Sequence, residues 1–112
     1  MHELGIARSI ASIVAEAANG RRVARVTLDV GAHAGIMPDA IAFCWDIVAK
    51  DAALDGARLE INTVAGRARC RVCDNEYETA TLYQACACGG RDVERIAGEE
   101  LKIREMELAE AA

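Results

Sequence analysis

Four of the five cysteines fall as two close pairs, Cys70-Arg-Val-Cys73 and Cys86-Ala-Cys88, with twelve residues between them. Four thiolates at about 2.3 Å from one zinc ion make a closed tetrahedral shell, and a C-x-x-C turn sets two sulphurs on the same side of a tight loop. Gly89-Gly90 follows the second pair, where a backbone that must curl close to a metal needs freedom. The surrounding segment is too short and polar to build a core, so a metal crosslink is the physical reason it could fold. No histidine follows His33, which leaves sulphur or carboxylate as donors here. A redox C-x-x-C would open a helix after a strand, and these flanks do not read that way. With all four positions filled by protein, the zinc has no open place for water and is structural. Cys44 stands apart between Ile41 and Val48, on the apolar face of an expected helix, as a core thiol.

The second candidate is the amino end, Met1-His2-Glu3. The Met1 amine, the His2 backbone nitrogen and the His2 imidazole Nδ1 can chelate one ion through fused five- and six-membered rings. Such nitrogens favour the square-planar geometry of Ni(II) or Cu(II). One place in the plane stays open, for which Glu3, Asp39 and His33 are candidates. Each also has a plainer role: Glu3 and Asp39 suit the positive first turns of helices, and His33 reads as a surface loop residue. The N-terminal segment lacks a basic start and a continuous apolar stretch, so the mature chain is expected to begin at Met1 in a reducing cytoplasm.

The elements that must position these residues follow from periodicity. Ile6, Ile10, Ile13, Val14 and Ala17 keep helical spacing, so residues 3–18 predict an amphipathic helix closed by Asn19-Gly20 in a left-handed cap. Val26, Leu28 and Val30 alternate with Arg25, Thr27 and Asp29, as in a half-buried strand. Pro38 suits the first turn of a second helix running to about Ala53, with Ile41, Cys44, Ile47 and Val48 facing inward. Asp55-Gly56 turns into a strand carrying Leu59 and Ile61. Residues 67–98 show little hydrophobic periodicity. A last strand carries Leu101 and Ile103, and Met106 and Leu108 continue out of phase, which predicts a bulge or a fraying end. The expected fold class is therefore α+β. A three-stranded sheet with two helices on one face spans residues 1–66 and 98–112, and a small zinc-ribbon-like insertion spans 67–97.

Composition narrows the function. The 112 residues carry a net charge of −5, against the basic surface that nucleic-acid binding needs, although Arg67, Arg69 and Arg71 form a local basic run. A zinc-ribbon adaptor for protein or nucleic acid is the competing reading of the cysteines. No apolar run approaches the roughly 20 residues of a membrane span. No Ser/His/Asp arrangement, phosphate loop or open zinc position points to an enzyme.

Along nearly its whole length the chain resembles the HypA/HybF family of hydrogenase nickel-incorporation proteins. The resemblance rests on the initial MHE, VGAHAGI, AIAFCWDIV, GARLEI, the paired cysteines and GEELKIREMEL. Where the family commonly has C-P-x-C-G, this chain has Cys86-Ala87-Cys88-Gly89, a shorter loop. The resemblance implies a nickel metallochaperone, with His2 as principal nickel ligand and Glu3 beside it. It also implies an acidic contribution at Asp39, and zinc on Cys70, Cys73, Cys86 and Cys88. The implied cargo is Ni(II), delivered to the precursor of the [NiFe]-hydrogenase large subunit in a relay with a HypB-type GTPase. A homodimer is compatible with this role.

Overall fold

The computed structural model describes residues 2–110. Its elements run α1 (Glu3–Ala18), β1 (Val23–Gly31), α2 (Pro38–Asp51), β2 (Arg58–Val64), β3 (Gly66–Cys70), β4 (Glu76–Thr79), β5 (Val93–Ala97) and β6 (Leu101–Leu108). They form two three-stranded sheets, ordered β2-β1-β6 and β4-β3-β5. The radius of gyration is 17.4 Å, against roughly 13 Å for one compact unit of this length. The two sheets do not share a core.

In the first sheet β1 is central, parallel to β2 through the α2 crossover and antiparallel to β6. A central strand is covered on both sides, which is why β1 is buried almost throughout rather than on alternate residues. Val26, Leu28 and Val30 pack under the helices with Ala7, Ile10, Val14, Ile41, Trp45 and Val48. Thr27 and Asp29 face the other way and are also buried. Asp29 is covered by charge: Arg104 grips both its oxygens at 2.9 Å, and Asn62 Nδ2 donates to it at 3.3 Å. The out-of-phase end of β6 is a bulge, since Leu28 pairs with Ile103 but Thr27 with Glu105. The extra residue is Arg104, which the bulge aims at Asp29.

The inner faces of the helices differ from the sequence expectation at Ile13, Ala17 and Ile47. In α1 the buried set is Ala7, Ile10, Ala11, Val14 and Ala18, while Ile13 and Ala17 are exposed. Small alanines let α1 and α2 approach each other, and the contact stripe rotates onto them. In α2 Trp45 takes the core place expected for Ile47, which is exposed; the indole Nε1 donates to the Ala57 carbonyl at 2.9 Å. Cys44 is half-buried against this core. Asn19 closes α1 at φ 50°, the left-handed cap expected there.

Residues 67–97, which show little periodicity, form a sheet of their own. Along β3, Gly66, Ala68 and Cys70 are buried while Arg67 and Arg69 are exposed. The alternation is that of a strand, but its inward residues are too small to register as an apolar pattern.

Candidate metal centres

Local backbone turns build the cysteine site. Cys70 ends β3, and the next turn returns the Asp74 N–H to the Cys70 carbonyl at 2.8 Å, with Asp74 itself at φ 63°. The Val72 N–H donates to Cys70 Sγ at 3.4 Å, and in the facing loop the Gly90 N–H donates to Cys88 Sγ at 3.4 Å. Gly89 turns that loop at φ 90°. A Cβ on Gly90 would lie 3.0 Å from Cys70 Sγ and 3.3 Å from Cys88 Sγ, so a side chain there would crowd the sulphurs. The shorter C-x-C loop still brings Cys86 into place, buried and 3.6 Å from Cys73 Sγ.

All four Sγ atoms lie within 4.8 Å of one another. Cys70–Cys88 and Cys73–Cys86 are 3.7 and 3.6 Å apart, too far for disulfides. A tetrahedron of sulphurs about 2.3 Å from zinc has edges of about 3.8 Å. The donor set therefore fits a tetrathiolate ion in size and type. Without a cation the thiols compete for protons. The Cys88 backbone N–H leads in drawing Cys86 down to about 7. At Cys73 the Asn75 backbone N–H pulls downward, but hydrogen bonds with Cys86 and Cys88 prevail and push the thiol up to about 12. A bound divalent cation removes that conflict.

The arginine run does not form a free basic face. Arg69 meets Glu94 at 2.7 Å, Arg71 meets Asp92 at 3.0 Å and Arg67 meets Glu76 at 3.9 Å. Each cation of the stripe faces a carboxylate from a neighbouring strand or turn.

At the amino end, Met1 lies outside the described residues. His2 is exposed and occupies the cap position of α1, yet its side chain makes no capping bond. Glu3 Oε2 accepts the Met37 N–H at 3.3 Å, joining the start of α1 to the start of α2. Its own backbone N–H, then that of Met37, hold its carboxyl below the usual carboxylate range. Asp39 is exposed in the first turn of α2, two residues beyond this contact. Among the described residues, the four cysteines are the one group of three or more His, Cys, Asp or Glu side chains whose ligand atoms converge. His2, Glu3 and Asp39 do not converge in that way.

His33 has a role that sequence reasoning missed. It is half-buried, and its Nε2 lies 3.0 Å from Thr79 Oγ1 and 3.2 Å from the Thr79 carbonyl, at the end of β4. The carbonyl can only accept, so Nε2 donates there. The His33 N–H donates to the Gly98 carbonyl at 2.7 Å, and the Ala32 N–H to the Val64 carbonyl at 2.8 Å. Both chain crossings between the sheets, after Val64 and after Ala97, thus meet on the loop following β1. Gly31, Gly66 and Gly98 make the contact possible: a Cβ on Gly31 would strike the Gly98 carbonyl, and one on Gly66 the His33 imidazole. A lone histidine among small residues in Gly31-Ala-His-Ala-Gly35 was the only signal in the sequence.

A helix-covered sheet joined to a second small sheet whose four cysteines could hold one metal ion defines a small α+β protein of the metal-handling class. The family model described as hydrogenase/urease nickel incorporation, metallochaperone, hypA matches residues 1–108, and the chain belongs to this HypA family. Hydrogenase maturation factor HypA of Nostoc sp. is 46% identical over 110 residues, covering 98% of this chain and 97% of that protein. Its counterpart from Geotalea uraniireducens is 44% identical over 109 residues, covering 96% and 99%. The fold matches the solution structure of the Ni metallochaperone HypA from Helicobacter pylori with a TM-score of 0.69 at 19% identity, over 96% of this chain and 97% of that one. The family is one of metallochaperones for nickel incorporation, not of enzymes.

Proposed function

We propose that this chain binds Ni(II) at its amino end and delivers it to the precursor of the [NiFe]-hydrogenase large subunit, in partnership with a HypB-type GTPase. Nickel is held by the Met1 amine, the His2 amide nitrogen and the His2 imidazole. Glu3 is the nearest candidate for the remaining place and Asp39 the next. Residues 1–66 and 98–112 form the nickel-binding part. Residues 67–97 form the part in which Cys70, Cys73, Cys86 and Cys88 hold a structural Zn(II).

The observation that carries this reading is the state of His2 in a chain of this family: exposed, at a helix start, with its imidazole free of the capping bond that the position usually supports. Ionised Glu3 beside it offsets the positive ends of two helices that meet there, which would otherwise oppose a cation. A carrier must also release its cargo, and a chelate that opens when a proton takes one nitrogen suits this.

The test is nickel titration of the native untagged chain, of His2→Ala and of a chain extended before Met1. Both changes are expected to weaken binding by at least about tenfold. Equal affinity in all three would end the proposal.

A further inference from the structure

β6 ends its sheet: one edge pairs with β1 and, among the described residues, the other carries no strand. Such an edge is a template for another chain. α1 overhangs it, leaving a largely apolar groove of about 460 Å³ lined by Ile6, Ile10, Ile13, Leu101 and Ile103, with His2 and Lys102 also bordering it. Ile13 is 56% exposed and Leu101 40%, though both are large and apolar. The groove occupies the place that the inner-face side chains of one further strand would fill.

The sequence of β6 says which strand. From Leu101 to Leu108 it reads Leu-Lys-Ile-Arg-Glu-Met-Glu-Leu, basic in its first half and acidic in its second. Set antiparallel against itself, it pairs Leu101 with Leu108, Lys102 with Glu107, Ile103 with Met106 and Arg104 with Glu105. A parallel copy would place like charges together.

Residues opposite each other in an antiparallel pair share a face. In an unbroken strand Leu101 and Leu108 would point to opposite faces, and this register would fail. The bulge at Arg104 shifts the phase by one residue. Ile103, Met106 and Leu108 pack on the helix side, where Leu101 lines the groove, while Lys102 and Arg104 turn to Asp29 on the other. The bulge thus makes β6 complementary to itself on both faces.

We propose that the free edge of β6 is a self-association surface on which a second copy of this chain adds its β6 antiparallel. The two sheets join across a two-fold axis between Arg104 and Glu105. This inference rests on neither metal assignment, although His2, the proposed nickel ligand, borders the same groove.

The test is sedimentation of the untagged, zinc-supplemented full chain as a function of concentration, with thermal melts to check each variant's fold. Lys102→Glu and Glu107→Lys, each alone, set like charges in contact and are expected to weaken the dimer by at least about tenfold. Mixing the two variants joins a carboxylate to an ammonium at both contacts and is expected to restore association to within about threefold of the native chain. Hydrogen exchange at residues 101–108 should slow as the native dimer forms. A chain that stays monomeric up to several hundred micromolar would overturn the inference. So would a dimer indifferent to both substitutions, a mixture no tighter than either variant alone, or slowed exchange confined to another face.

Discussion

The two sheets are held by different physics. The helix-covered sheet rests on a continuous apolar core in which Leu28, Ile41, Val14, Val26, Val30 and Val48 are fully enclosed. The cysteine sheet encloses little more than Ala68, Cys70, Cys86 and Thr79, and leaves Val72, Tyr83 and Ile96 in solvent. Its cross-strand ion pairs are half-exposed, and such pairs stabilise weakly. What remains to hold it is four sulphurs around one point. The comparison teaches that one chain can carry a region that folds by burial and a region whose gathered sulphurs would need a bound metal to hold it, joined where His33 meets Thr79.

The largest effect should come from breaking ligation. Stripping zinc with a chelator, or Cys73→Ala, is expected to remove hydrogen-exchange protection from residues 67–97. The fluorescence of Trp45, the sole tryptophan and deep in the other core, should not change. Collapse of both regions together would show that they fold as one unit.

The converse is a cavity in the first core. Ile41→Ala should destabilise the helix-covered sheet by about 2–5 kcal/mol, read from Trp45 in a urea titration, with zinc stoichiometry unchanged.

A smaller effect sharpens the contrast through pH. The Arg104 guanidinium, then Asn62 and Lys102, hold the Asp29 carboxyl below its ordinary value against the cost of burial. A depressed carboxylate contributes stability above the unfolded value, about 4, and that contribution is lost as pH falls through the folded one. The Trp45 unfolding midpoint should drop as pH falls below about 4, and Asp29→Asn should flatten that drop while lowering stability at neutral pH. Identical acid profiles in both chains would contradict the assignment.

Much of this was legible in the sequence because it is local. The Asn19 cap, Pro38 at the start of α2 and the phase shift near Arg104 are each written in adjacent residues. The inner faces were less so: apolar spacing favoured Ile13 and Ile47, but close helix packing selects alanines, and one indole displaces an isoleucine. The β3 strand was hidden because Gly66, Ala68 and Cys70 alternate by burial and not by hydropathy. Cysteine spacing named the four candidate ligands, since only short loops were needed to gather them. The place of His33 depends on Thr79, 46 residues away, and no local pattern could report it.

The claim beneath the account is a division of metals: nitrogen at the amino end for the cargo, sulphur in the ribbon for the resident ion. The direct measurement is nickel K-edge X-ray absorption on the untagged chain, loaded with one equivalent each of zinc and nickel. The account predicts a planar nickel shell of nitrogen and oxygen donors with an imidazole signature that disappears in His2→Ala. A nickel shell dominated by sulphur at the four cysteines, unchanged in that variant, would contradict it.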